Sequence, residues 1–317
     1  MIIPSDLRTL VHGLDAVDVP DEVHAVCEEL LKRSSQRIQA ILFYGSCLRS
    51  GYNDEGILDL YLIVDHYRPF FHRPLLALAN QVLPPNVFYI EVAFRDRIVR
   101  AKYAILSLQQ FQRSTSTQWF HSYFWARFAQ PTKVLYTANP DIAAHVYDAL
   151  ARSIMTFFTR VVPQLPERFN AFDLWEQGLS LTYQCELRTE RSGRVAHILE
   201  ADREYYQQTA HVALGHLPFP IATAKTAQPA LYQTELPPFQ RMMNSSSWAL
   251  RRYQGKLLSI LRLIKGLFTF QGGVDYILWK IERHSGVSIE LTPRQRQHPL
   301  LSSPGVFWKL YRKGAFR

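Results

Sequence analysis

The chain reads as an α/β domain, a mixed sheet with flanking helices, followed by a mainly α-helical C-terminal domain. Two observations predict this division. Up to about residue 140, short runs rich in branched and aromatic residues alternate with stretches of helical spacing, the pattern of strands interleaved with helices. From Asp141 onward the apolar residues recur at helical spacing through long segments. At 317 residues the chain has room for two domains with cores of their own.

The elements follow in order. Pro20 and Asp21-Glu22 open a helix through about Ser35, with Val23, Val26, Leu30 and Leu31 on one face. Strands are expected at 38–44 and 57–64, a helix over 71–82, then strands NVFYIEVAF at 86–94 and RAKYAILSL at 100–108. A helix over 117–129 and a strand, KVLYT at 133–137, complete the first domain, residues 1–140. Helices near 141–162, 170–190, 194–214 and 246–268 make up the second part. Residues 215–240, rich in Pro, Ala and Thr, read as an irregular connection. The helical domain is assigned to 141–254, where it completes a cleft with the first, and 255–317 to a basic amphipathic C-terminal region.

Within the first domain, residues 41–65, ILFYGSCLRSGYNDEGILDLYLIVD, carry the chemistry. An apolar strand runs into Gly45-Ser46, turns, and returns as a strand bearing Asp59 and ending at Asp65. Gly45 has no Cβ, so its backbone can approach a triphosphate, and the Ser46 hydroxyl and nearby N–H groups can donate to phosphate oxygens. A carboxylate on the next strand can hold Mg²⁺ against those phosphates. This is how a nucleotidyltransferase begins. The superfamily pattern has a second acid two residues on, where this chain has Tyr61. Asp59 stands in a run apolar enough to be buried, so it needs a partner cation, either a metal or a basic side chain. Asp65 reads as a further ligand or a solvated strand end, and Glu91 as a metal ligand from a later strand or an outward-facing Glu.

Composition bounds the function classes. With 47% hydrophobic and 20% charged residues the chain is neither disordered nor fibrous. Cys27, Cys47 and Cys185 lack metal-ligand spacing, which excludes a zinc site built of cysteines and fits a reducing compartment. The N-terminus shows neither a secretory signal nor a transit peptide, and no apolar run reaches spanning length. The net charge of +9 is concentrated at the end: residues 241–317 hold 14 Lys and Arg against 3 Asp and Glu, leaving 22 against 24 before them. Large apolar residues interleave these cations, as in GKLLSILRLIKGLFTF at 255–270 and VFWKLYRKGAFR at 306–317. That mixture suits either an interfacial anchor on anionic lipid or a docked helix with a basic face.

Four segments in this order, YGS at 44–46, LDLYLIVD at 58–65, AKYAILSLQQF at 101–111 and LSLTYQCELRTERSGRVAHILEADREYY at 179–206, resemble the mitochondrial-type phosphatidate cytidylyltransferase family, the translocator assembly and maintenance proteins. Tyr44, Gly45, Ser46, Asp59, Asp65, Lys102, Tyr103, Ser107, Tyr183 and Arg188 match its motifs, and Glu186 takes the place of an Asp. That family also lacks the second acid of the superfamily pattern. Cys47-Leu48, Ala104 and Gln184-Cys185 depart from it, and the likeness spans about residues 40–210. Without a transit peptide, a bacterial relative is the expectation, cytoplasmic and peripheral on the inner face of the membrane.

The resemblance implies transfer of a cytidylyl group from CTP to phosphatidic acid, giving CDP-diacylglycerol and pyrophosphate, with Mg²⁺ as cofactor. It implies that Tyr44, Gly45, Ser46 and Lys102 bind the nucleotide and that Asp59 holds Mg²⁺ with Asp65 or Glu91. Glu186 joins the metal or nucleotide, and Arg188 binds a substrate phosphate or pairs on the surface with Glu190. The alternatives for Lys102 are a phosphate contact or a strand lysine reaching solvent. The partners implied are CTP, phosphatidic acid and an anionic membrane surface, with no nucleic acid. Two other readings stand beside this one: transfer to a soluble or RNA acceptor, and a non-catalytic membrane-surface assembly protein.

Overall fold

The computed structural model describes residues 2–16, 18–34, 37–51, 56–187, 193–224 and 230–269. Its centre is a mixed five-stranded sheet, with helices on both faces and a helical region after it. The strands are β1 (Ile38–Tyr44), β2 (Leu58–Val64), β3 (Asn86–Phe94), β4 (Arg97–Ser107) and β5 (Thr132–Thr137), in the order β3-β4-β2-β1-β5. Only β2 and β4 run parallel; the other neighbours are antiparallel. Each of the five strands expected from the sequence is present.

Alternation along these strands sorts two cores. Ile41, Phe43, Leu58, Leu60, Leu62 and Val64 face one side and pack with Val23, Val26 and Leu30 of α2 (Asp21–Ser34) and Ala77 of α5 (Pro74–Val82). Ala40, Leu42, Tyr61, Ile63, Ala104 and Leu106 face the other, against α1 (Ser5–Gly13), α8 (Pro140–Val161) and α9 (Ala171–Tyr183). That second core runs without a break from Leu7 to Trp248, so residue 140 falls within one packed unit. Helix α9 begins with a capping box, Asn170 accepting from Asp173 N and Asp173 accepting from Asn170 N. Its Trp175 stacks on Phe157 of α8 at 4.7 Å.

Several expected boundaries are corrected. The helix expected over 117–129 does not form. Helix α6 (Leu108–Ser114) ends because the Ser114, Thr115 and Ser116 hydroxyls bond back to the carbonyls of its last turn, and only α7 (Trp125–Phe128) follows. The helix expected over 71–82 is α4 (Tyr67–Phe71) and α5, separated by His72 in a left-handed conformation, φ 52°. The helix over 170–190 stops at Tyr183, and that over 194–214 divides at Asp202 into α10 (Gly193–Ala201) and α11 (Arg203–Leu214). Residues 215–240 hold β7 (Ala222–Ala224) and β8 (Leu231–Gln233), which form a small sheet with β6 (Arg168–Asn170), three-residue strands too short to show a period. Helix α12 (Pro238–Thr269) starts earlier than expected and runs for 32 residues. Helix α1 was not among the expected elements, and neither was the five-residue α3 (Ser46–Ser50).

Candidate active site

Strand pairing assembles the site. Tyr44 at the end of β1 lies opposite Asp59 of β2, Asp59 beside Lys102 of β4, and Lys102 opposite Tyr89 of β3. These four side chains form one row on the same face of the sheet, because paired neighbours point the same way.

Gly45 follows at once, with φ 92° and ψ −162°, a conformation open almost only to glycine. A Cβ there would lie 2.9 Å from Asp59 Oδ2, so the carboxylate packs directly against the Gly45 backbone. Ser46 opens α3 just beyond. Cys47, which replaces a glycine of the resembled motif, donates its thiol to the Ile57 carbonyl at 3.3 Å and ties the turn to the start of β2.

Asp59 is surrounded by cations. Burial pushes its carboxyl above the usual range, while Lys102, Arg127 and Arg49 oppose that shift. Arg127, from α7, donates to the Tyr61 hydroxyl at 3.0 Å and lies over the rings of Tyr123 and Tyr44, at 4.3 and 5.6 Å from their centroids. Glu186, just beyond α9, reaches the same guanidinium at 4.0 Å. Arg262 of α12 approaches the Tyr123 ring at 4.1 Å and donates to the Pro84 carbonyl at 2.8 Å. His121 accepts from Tyr123 N at 3.1 Å; burial and Arg262 lower its pKa to about 3, so it stays neutral. Two carboxylates, Asp59 and Glu186, thus stand among four cations, Lys102, Arg127, Arg49 and Arg262, an excess of positive charge suited to a polyanionic ligand.

The expected site residues divide accordingly. Tyr44, Gly45, Ser46, Asp59 and Lys102 come together, and Glu186 joins them through Arg127. Asp65 does not. It sits past the opposite end of β2, about 20 Å from Asp59 at strand spacing, and is exposed beside His66 at 3.5 Å. Glu91 is also elsewhere: two strands from Asp59, about 10 Å across the sheet, it pairs with Arg100 at 3.4 Å and accepts from the Tyr89 hydroxyl at 2.8 Å. Arg188 and the segment 306–317 lie outside the described residues.

Among the described residues, no three His, Cys, Asp or Glu side chains gather to hold a metal ion. Mg²⁺ keeps several waters and takes one or two carboxylates together with substrate phosphates. Asp59 fits such an ion as a single protein ligand beside a triphosphate, and a metal cage made by Asp59, Asp65 and Glu91 does not form.

Arg49, Tyr61, Tyr123, Arg127 and Arg262 were not anticipated. The signal for Arg127 was its place in WFHSYFWARF, a lone cation in an aromatic run that has to be buried. No family model matches the sequence, and no curated protein matches it.

Proposed function

We propose that the protein is a nucleotidyltransferase whose active site is the cluster of side chains around Asp59. The observation that carries this reading is one desolvated carboxylate held against the Gly45 backbone and ringed by Lys102, Arg127 and Arg49. Within that class we propose a phosphatidate cytidylyltransferase, joining CTP to phosphatidic acid with release of pyrophosphate. The motif order in the sequence supports this narrower reading, and helix α12 adds to it. That helix contains no Asp or Glu, and it exposes Leu250, Tyr253, Leu257, Ile260 and Ile264 together with Arg252 and Lys256. A surface of that composition suits a bilayer of anionic lipid, where the acceptor resides.

The reaction asks for positioning and charge neutralisation. An oxygen of the lipid phosphate bonds to the α-phosphorus of CTP as the bond to the β-phosphate oxygen breaks, and pyrophosphate departs with that electron pair. Lys102 supplies a compact ammonium to the phosphates, and Arg127 a planar fork held by the Tyr61 hydroxyl and Glu186. Gly45 leaves the backbone open to the triphosphate. When bound, Mg²⁺ would be held by Asp59 and would neutralise phosphate charge. The test is purified protein with Mg²⁺, α-labelled CTP and phosphatidic acid in mixed micelles, with labelled CDP-diacylglycerol as the expected product. Label transferred to RNA and not to lipid would refute the lipid acceptor.

A further inference from the structure

At the far end of the sheet from Asp59, the parallel strands β2 and β4 finish side by side, and a groove opens where they lead into α4 and α6. In open α/β sheets the crevice outside the carboxyl ends of parallel strands is where ligands bind. Two adjoining cavities of about 620 and 480 Å³ form this groove and share Gln109 and Arg113. Those volumes are in the range of small-molecule sites. Lys102 and Ser107 lie five residues apart on β4, so about 17 Å separates the groove from the Asp59 cluster.

The groove has a fixed floor and a positive wall. Buried Tyr67 accepts from Ser107 N at 2.9 Å and donates to Gln110, which locks the ends of the two strands together. Arg68, Arg113 and Arg152 line the walls, and no carboxylate lines either cavity among the described residues. Neither Arg68 nor Arg113 has an acidic partner among those residues; the nearest acid in sequence, Asp65, is paired with His66. Trp119 lines the larger cavity, with the Arg113 guanidinium 5.8 Å from its ring centre, and its indole N–H finds no acceptor among the described residues.

We propose that this groove is a second ligand site, separate from the Asp59 cluster, that takes a nucleoside phosphate. Arg68 and Arg113 offer planar forks to phosphate oxygens, and the Trp119 ring offers a surface on which a base stacks. The glutamine amides beside them supply donors and acceptors for polar ring edges. The inference does not depend on the reaction assigned to Asp59.

Calorimetric titration of the full chain with ATP and with tripolyphosphate tests it. Lys102→Ala, which weakens the other site, should keep this ATP site within about twofold in affinity. Arg68→Gln/Arg113→Gln should weaken it at least tenfold, about 1.4 kcal/mol. Both arginines are exposed, so the variant should melt as the wild type does; Arg113→Gln alone is a milder variant with the same expected direction. Tripolyphosphate, without a ring, should bind at least fivefold more weakly than ATP. ATP binding unchanged in the arginine variants, or absent from Lys102→Ala, overturns the proposal, as does equal affinity for ATP and tripolyphosphate.

Discussion

Asp59 makes the strongest statement a single residue makes about this protein. Burial raises its carboxyl pKa despite three nearby cations, so the folded state holds that proton more tightly than the unfolded chain does. The sign follows: below the ordinary carboxylate range Asp59 contributes nothing to the pH dependence, and stability falls as pH rises from that range through its folded pKa, so a penalty is present at neutral pH. Asp59→Asn should therefore melt at a higher temperature than the wild type at pH 7, and the gap should close as pH drops below the ordinary range. Equal melting temperatures at pH 7 would contradict this. A residue that costs stability where it stands is expected of a functional site. Gly45 makes a second prediction, since Ala there meets both a positive φ and the Asp59 oxygen 2.9 Å away. Strain of this kind costs on the order of 1–3 kcal/mol, so Gly45→Ala should lower stability by that amount in denaturant titration and displace Asp59.

Helix α12 ties the two halves of the site together. Gly255 lies where the chain leaves α9; a Cβ there would come within 2.3 Å of the Cys185 carbonyl oxygen, one residue before Glu186. Farther along, Arg262 reaches the Pro84 carbonyl and Lys265 those of Leu83 and Pro85, so α12 grips the approach to β3 while Arg262 touches Tyr123. Gly255→Ala should push α12 away from the α9 turn and cost about 1–3 kcal/mol, the range for overpacking. Faster amide exchange at 183–187 would accompany it, and unchanged exchange with unchanged melting would argue against this contact. Much at this scale was legible in the chain. The five strands stood out because branched and aromatic runs are bounded by turns, and α8 because its apolar period is long. The break at Asp202, the three-residue strands and the aromatic fold over 115–124 were hidden, because tertiary contacts and side-chain bonds to backbone decide them where local period does not. Glycine, serine and the carboxylate of the site were readable from spacing. Of the two readings of Asp65, further ligand or solvated strand end, the exposed position beside His66 fits the second, since about 20 Å of strand lies between it and Asp59.

At the scale of the whole molecule, the sheet carries a cluster of cations around Asp59 at one end, a basic groove at the other, and a long helix free of acids whose outer face mixes apolar residues with Arg252 and Lys256. No described helix is long and apolar enough to cross a membrane, so contact with lipid through α12 would be along a surface. Replacing Leu250, Tyr253 and Leu257, all exposed, by Asp should weaken binding to anionic liposomes at least tenfold without lowering the melting temperature. Undiminished binding would remove α12 from that role. The proposed activity rests most heavily on Asp59 and the cations around it. Its most direct test is the amount of CDP-diacylglycerol formed from CTP and phosphatidic acid by the wild type and by Asp59→Asn, each with its melting curve. Product is expected from the wild type, and at least a thousandfold less from the variant, which should be folded and more stable. Equal product from both would contradict it.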